Sequence, residues 1–261
     1  MTTLRLLIAL PLGPGLAVAW SILHPDACWI LIFPGFAFAI LFAYAWTTLS
    51  LHRRIIADAY FQKRHVLYAF ARSPTRIFVS AFFSAALLTI ALFAAIPTLS
   101  PEMMIALVAD AGVAAAFYLA ADSLLRGPAG VRPAAAGVLA RQWATGLNSV
   151  LLVAVLVTLS LRSPAPLYID PDWRVIDTLE NAAATRASRC DSVDLVLGLG
   201  RQLDAVRWLA IGKVTNAVDN AWIRYGLWGL FLLNGAALAA GYSRLCVQLV
   251  HTARGPRTDG A

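Results

Sequence analysis

Long apolar stretches dominate the pattern of hydrophobic and polar positions along this chain. Six of them approach or exceed the roughly 20 residues that a helix needs to cross a bilayer. They lie at residues 6–23, 28–49, 77–99, 103–125, 143–161 and 222–250. The pattern therefore predicts an all-α, polytopic membrane protein, in which residues 1–261 form a single membrane domain with six transmembrane helices.

The first stretch differs from the others because Pro11, Gly13, Pro14 and Gly15 interrupt it. Residues 17–19, Ala-Val-Ala, also resemble a signal-peptide cleavage site. Only Arg5 marks the basic segment that should precede such a signal, and cleavage would leave a very short stub before the second stretch. We therefore expect a retained first helix.

Residues 162–221 form a different kind of segment between the fifth and sixth stretches. They carry seven basic and eight acidic side chains and are nearly neutral. Asp170 before Pro171 predicts one helix start, and Asp191 with Asp194 predicts a second. From Asp191 onward, apolar residues recur at three- and four-residue steps, which predicts one apolar stripe on an amphipathic helix. The stripe consists of Val193, Val196, Leu199, Leu203, Val206, Ala210, Val214 and Ala217.

This insertion is expected to form an extracytoplasmic helical hairpin. An apolar stripe in an extramembrane helix must be covered by something. The candidates are the first hairpin helix, the bilayer surface and another protein chain.

Composition supports the membrane assignment. Apolar residues make up 60% of the chain and charged residues 13%, about half the share typical of soluble domains. The mean hydropathy is +0.71. A net charge of +7 would suggest nucleic-acid binding in a soluble protein, but membrane proteins concentrate Lys and Arg in cytoplasmic loops. We therefore expect no nucleic-acid partner.

Basic residues fall on alternate loops. The segment between the second and third stretches carries six of them against Asp58 alone, namely Arg53, Arg54, Lys63, Arg64, Arg72 and Arg76. Others follow the fourth stretch (Arg126, Arg132, Arg141) and the sixth (Arg254, Arg257), whereas loops 24–27 and 100–102 have none. The positive-inside rule then places both termini in the cytoplasm of a bacterium, with the protein in its inner membrane.

The basic segment between the second and third stretches also contains apolar and aromatic residues. Such an amphipathic basic segment can lie on anionic lipid headgroups or dock on a cytoplasmic protein. It can also serve only to fix topology. All three interpretations stay open for Arg53, Arg54, Lys63, Arg64, Arg72 and Arg76.

Asp110 is the most informative single residue, because it lies inside the fourth stretch. A carboxylate in hydrocarbon costs about 2.5–3.5 kcal/mol on insertion scales and normally faces a bundle interior or a wet cavity. Asn148 and Asn234 lie in the fifth and sixth stretches, where they are able to supply hydrogen bonds. Asp110 is therefore predicted to hold helices together or to belong to a proton or ion pathway.

No catalytic or cofactor-binding pattern is evident. The four histidines are scattered without metal-ligand spacing, there is no Cys-x-x-Cys pair, and no glycine-rich phosphate loop occurs. We expect a non-enzymatic protein without metal or cofactor. Cys28 and Cys190 are both predicted outside the cytoplasm, where a disulfide between them is permitted but not required by their spacing.

The architecture resembles the membrane subunit of an ABC-2-type exporter. The resemblance rests on six helices with both ends inside, a basic loop between the second and third, and a helical insertion between the fifth and sixth. The run 68–78, with Arg72-Ser73-Pro74-Thr75-Arg76, is loosely similar to the segment that leads into the third helix of that family. This chain departs from the family in having no amphipathic helix before its first span. The resemblance implies a separate ATPase partner.

Three functional hypotheses follow. The first is a subunit or assembly factor of a larger envelope complex for secretion, conjugation or transport, with membrane lipids and other membrane or envelope proteins as partners. The second is an exporter subunit. The third is an ion or proton pathway through Asp110.

Overall fold

A computed structural model describes residues 2–26, 28–60, 62, 65–127, 131, 133–162, 169, 174–184, 188–216 and 221–254. Within these ranges, the side chains at 2–4, 133–134, 207, 210–216, 221–228, 230–231 and 233–234 are not described. The described residues are all-helical apart from short connections. The α-helices are α1 (Thr2–Leu23), α2 (Ile32–Tyr60), α3 (Val66–Ala71), α4 (Pro74–Ala95), α5 (Pro101–Arg126), α6 (Pro133–Arg162), α7 (Val175–Ala184), α8 (Asp191–Asn216) and α9 (Ala221–Arg254).

Five helical segments among the described residues are long and apolar enough to cross a membrane. They are Arg5–Leu23, Cys28–Tyr60, Val66–Thr98, Pro101–Arg126 and Ala135–Arg162. They correspond to the first five predicted stretches and indicate a multi-pass membrane protein. The sixth predicted stretch lies within α9, whose side chains are described only in part, so a sixth span stays a prediction.

The helices extend further than the apolar stretches. Hydropathy ends the second stretch at residue 49, but α2 continues to Tyr60 through Arg53 and Arg54. Likewise, α6 begins ten residues before the predicted start at 143. A helix keeps its backbone hydrogen bonds after it leaves hydrocarbon, so polar side chains end the apolar pattern without ending the helix.

Local sequence explains where several helices begin. Ser73 and Ser100 precede Pro74 and Pro101, and proline is favoured in the first helical turn because it has no N–H to leave unpaired. The Ser100 side chain also accepts a hydrogen bond from the Met103 amide at 3.4 Å. The predicted helix start at Asp191 is confirmed by α8.

Helix α9 is the centre of the bundle and contacts α1, α2, α4, α5, α6 and α8. Its residues from Gly241 to Val250 are buried almost without interruption. Close backbone approach makes this possible at Gly241, where an added Cβ would lie 3.2 Å from the Leu88 carbonyl oxygen of α4. Helix α1 joins the same core through Ala17 and Trp20.

The predicted stripe of α8 is buried only in part, with Val193 fully buried in the main core. Leu199 and Leu203 of the predicted stripe are 51% and 56% exposed, while Leu197 and Ala205 are buried. Gly200 packs against the Ala94 backbone of α4, where any added Cβ would collide. A glycine at this position therefore permits the close approach of α8 to α4.

Helices α7 and α8 contact each other around a small apolar cluster separate from the main core. Ala182 of α7 packs with Ala205 and Trp208 of α8, and Ile169 completes the cluster. The N-terminal part of α8 instead joins the main core through Val193 and Leu197. One helix therefore bridges α7 and the end of the bundle. Asp170, named above as a helix start, lies outside the described residues.

Candidate functional site

Buried and half-buried polar side chains line the interface of α5, α6 and α9, and we call this set the polar seam. Its members are Asp110, Tyr118 and Asp122 on α5, Arg141 and Asn148 on α6, and Ser243, Gln248, His251 and Arg254 on α9. On α5 the spacing of eight and four residues keeps the three side chains on one face. Twelve residues at 1.5 Å each place the ends of this α5 row about 18 Å apart.

The first cluster of the seam surrounds Asn148, which is fully buried. Its Nδ2 donates hydrogen bonds to Asp110 Oδ2 at 2.8 Å and to Ser243 Oγ at 2.9 Å. One amide thus connects α5, α6 and α9. Asp110 is only 6% exposed, so its carboxyl group faces the interior of the bundle.

A second cluster surrounds the guanidinium of Arg141. Its Nη1 donates to Gln248 Oε1 at 2.7 Å and to Thr47 Oγ1 at 3.0 Å, and its Nε donates to the Gly137 carbonyl at 3.2 Å. The Tyr44 ring lies 5.6 Å from the guanidinium carbon. A buried cation needs several acceptors because it has lost its water, and this one finds them on α2, α6 and α9.

A third cluster closes the seam where α5 and α9 end. Asp122 is fully buried and forms ion pairs with Arg126 at 2.8 Å and with Arg254 at 2.6 Å. One turn earlier on α5, Tyr118 Oη hydrogen-bonds to His251 Nδ1 at 2.8 Å. The C-terminal ends of α5 and α9 are therefore joined by ion pairs between their side chains.

The sequence pattern indicated only part of this seam. The structure brings Asp110 and Asn148 together, while the side chain of Asn234 lies outside the described residues. Asp122 pairs with Arg126 four residues along α5, and its buried carboxylate also pairs with Arg254 of α9, which is distant in sequence. Ser243, Gln248 and His251 were missed, because isolated polar residues near the end of an apolar stretch gave no signal of their own.

The basic residues named from the sequence lie where α2 ends and α4 begins. Arg53, Arg54 and Arg72 line a cavity of about 450 Å³ between Trp46, Pro74 and neighbouring residues of α2, α4 and α6. Arg72 pairs with Asp58 at 3.9 Å and also hydrogen-bonds to Tyr68.

Arg76 behaves differently from the arginines of this cavity. Its guanidinium stacks over the Phe70 ring, 3.6 Å from the ring centre. Lys63 and Arg64 lie outside the described residues. Cation–π contact leaves part of a guanidinium accessible, so Arg76 still adds positive charge to this end of α4.

The opposite end of the bundle carries an apolar cavity of about 450 Å³. It lies between the end of α4, represented by Ile90 and Ala94, and helices α7 and α8. Leu179 of α7 and Leu199 and Leu203 of α8 form much of its wall. The leucines at 199 and 203 continue a row with Leu195, which is 69% exposed.

The segments that carry Cys28 and Cys190 also meet at this end, and both thiols are free. The Arg189 amide donates to the Pro25 carbonyl at 3.0 Å, and Ser188 Oγ donates to the His24 carbonyl at 2.7 Å. The segment before α8 is thus bound to the connection between α1 and α2.

Chemically, the seam combines a carboxyl, an imidazole, a phenol and guanidinium groups in a bundle interior. These groups can hold helices together or exchange protons. In the part of the chain that the structure describes, no three His, Cys, Asp or Glu side chains come together as a metal site requires. The chain matches no known family model, no curated protein and no solved structure.

Proposed function

We propose that this chain is a non-enzymatic, multi-pass protein of a bacterial inner membrane that serves as a subunit or assembly factor of a larger envelope complex. One observation carries the proposal. Leu195, Leu199 and Leu203 form an exposed leucine row on α8, 69%, 51% and 56% exposed, outside the five apolar spans. An exposed apolar row of this kind typically marks an interaction surface.

The proposed topology has six spans, with both termini in the cytoplasm and the α7–α8 insertion outside. It is supported by the clustering of Arg53, Arg72, Arg126 and Arg254 where α2, α5 and α9 end and α4 begins. Helix α8 packs against the other end of α4, near Ala94. Alkaline phosphatase should be active when fused after Asp191 and inactive when fused after Arg254. The reverse pattern at either site would reject this topology.

The occupant that we propose for the leucine row is an apolar helix of another membrane protein. The cavity beside the row is lined almost wholly by apolar groups, with Gln202 and Thr98 as the polar exceptions. It is also continuous with α4, where Leu87 and Ile90 are 69% and 50% exposed. A helix that leaves the bilayer beside α4 can therefore continue directly onto α8.

Crosslinking in cells tests this occupant. A photoreactive amino acid at position 203 should capture a discrete protein, and the double variant Leu199→Asn with Leu203→Asn should abolish its co-elution in mild detergent. Ile176→Asn is the matched control, because Ile176 is 70% exposed on α7 but does not line the cavity. Crosslinks to lipid alone, or unchanged co-elution of the double variant, would overturn the proposal.

The identity of the captured protein also separates two functional classes. A cytoplasmic ATPase in the same complex, bound through the arginine-rich end, would favour the exporter-subunit alternative. Secretion or conjugation components would favour an envelope-complex subunit. Substitution of Arg53 and Arg54 by Gln should release an ATPase without affecting a partner that binds the leucine row.

The polar seam favours a second candidate function, an ion or proton pathway through Asp110. Ionisable residues inside a membrane are costly and frequently functional. Asp110→Asn keeps the size and hydrogen bonding of the side chain but cannot release a proton. If the seam is structural, this variant should fold and complement a deletion strain. A stable, correctly inserted Asp110→Asn protein that fails to complement, or fails to conduct protons in vesicles, would favour the pathway.

A further inference from the structure

We propose that Cys28 and Cys190 form a disulfide that fastens the start of α8 to the connection between α1 and α2. The segments that carry the two thiols lie against each other although they are far apart in sequence, because residues 188–189 contact residues 24–26. The bond would close a long loop of the chain that contains six α-helices, α2 to α7. Because this end must face an oxidising compartment, the inference rests on the proposed topology.

Neighbouring contacts hold the two segments in place independently of the cysteines. The Arg189 amide is hydrogen-bonded to the Pro25 carbonyl, and Ser188 Oγ is bonded to the His24 carbonyl. Arg189 also pairs with Asp26 at 3.7 Å. The Cys190 amide in turn donates to Ser188 Oγ at 3.2 Å. The chain just before each thiol is therefore held against the other segment, and a disulfide needs its two Cα atoms within about 7 Å.

The exposure of the two thiols suggests the order of reaction. Cys28 is exposed, whereas Cys190 is half-buried. The Cys28 thiolate attacks a disulfide-bearing oxidant, such as a thiol oxidoreductase or oxidised glutathione, and forms a mixed disulfide. The Cys190 thiolate then attacks the Cys28 sulfur and displaces the second thiol of the oxidant. Overall, the protein loses two electrons and two protons, and the oxidant becomes two thiols.

The consequence concerns the leucine row. Cys190 immediately precedes α8, so the bond would fix the end of the helix that presents Leu195, Leu199 and Leu203. Reduction would leave noncovalent contacts, among them those of Ser188 and Arg189 with residues 24–26, to hold this end of α8. We expect the reduced protein to unfold at a lower temperature and to bind its partner more weakly than the oxidised protein.

Counting free thiols tests the bond directly. The chain has three cysteines, so denatured, reduced protein should take up three maleimide groups. Purified protein treated with oxidised glutathione should take up one, at Cys246, and should remain monomeric on a non-reducing gel. After the same glutathione treatment, Cys28→Ser and Cys190→Ser should each take up two maleimide groups, because neither variant can form the bond. Molecules that carry a glutathione adduct are recognised by their added mass and counted separately. Cys246→Ser should change from two to none on oxidation.

Two outcomes would overturn the inference, and they differ in what else they affect. If glutathione leaves three reactive thiols, or produces only intermolecular dimers, the geometric basis is wrong and the proposed topology is untouched. If the bond forms in purified protein but all three thiols are free in acid-trapped cells, the disulfide does not exist in the cell. The phosphatase fusions then show whether the proposed topology is at fault as well.

Discussion

The α2–α4 interface and the polar seam join helices of one bundle by different chemistry. Five aromatic rings form a ladder between α2 and α4, namely Phe38, Phe42 and Trp46 on α2, and Phe78 and Phe82 on α4. Phe38 meets Phe82 edge to face at 5.3 Å between ring centres, and Phe42 meets Phe78 at 5.4 Å. Phe78 and Phe82 are 49% and 42% exposed, so the ladder lies at the rim of the bundle.

The polar seam instead lies in the interior and depends on few contacts. Asn148 alone connects Asp110 with Ser243, and Asp122 alone bridges Arg126 with Arg254. In lipid, apolar packing gives no hydrophobic driving force between helices, so many weak contacts must add up along the ladder. A buried polar group, by contrast, becomes costly as soon as its partner is removed. The ladder should therefore tolerate single substitutions that the seam does not.

The largest effect is expected for Asp122→Asn. Removing the carboxylate charge takes away the buried acid that pairs with both Arg126 and Arg254, and breaking a buried ion pair typically costs about 3–5 kcal/mol. The free energy of unfolding in detergent, followed by tryptophan fluorescence, measures this loss. Asp58→Asn is the control, because its ion pair with Arg72 is exposed and should cost less than about 1 kcal/mol. Equal losses in both variants would contradict the importance of burial.

Asn148→Leu should have the next largest effect, since it removes both hydrogen bonds that link α5, α6 and α9 through one side chain. Leaving buried polar groups without a partner costs about 1–3 kcal/mol, and we expect about 2 kcal/mol here. Leu147→Ala is the control, because Leu147 is the preceding residue of α6 and its side chain is 59% exposed. A loss no larger than that of Leu147→Ala would show that the seam is tolerant as well.

Gly200→Ala tests the interface between α8 and α4, which is apolar like the ladder but leaves no space for an additional methyl group. The new methyl group would collide with the Ala94 backbone, and overpacking of this kind costs about 1–3 kcal/mol. Gly198→Ala is a matched control on the same helix, because no atom lies within 4 Å of its added Cβ. That variant should be neutral or slightly stabilising, since Ala is the better helix former. Thermal unfolding of the two variants in parallel separates helix propensity from packing.

The smallest effect is expected for Phe82→Leu in the aromatic ladder. Ring pairs contribute about 0.5–1.5 kcal/mol beyond their buried area, but Phe82 is 42% exposed and its partners keep other ring contacts. We expect a loss below about 1 kcal/mol. Phe36→Leu is the comparison, because Phe36 is similarly exposed, at 45%, but is not part of the ladder. A loss as large as that of Asn148→Leu would remove the contrast between the two regions.

Much of this architecture is determined by the sequence alone. Apolar runs of membrane length predicted the helices that became α1, α2, α4, α5 and α6, because hydrocarbon requires every backbone group to be paired within its own segment. The same local logic predicted the start of α8 at Asp191. Hydropathy, however, ended α2 too early at residue 49, since it measures side chains and a helix is held by its backbone.

Only the tertiary structure decided which side chains meet. Ser243 and Gln248 join the polar seam because α9 lies against α5 and α6, and no local pattern distinguishes them from other polar residues. Within the predicted stripe of α8, Val193 is buried whereas Leu203 is 56% exposed, and Gly200 lies against the Ala94 backbone of α4. Hydrophobic periodicity identifies an amphipathic helix, whereas the face that it buries depends on the shape of a partner far away in sequence.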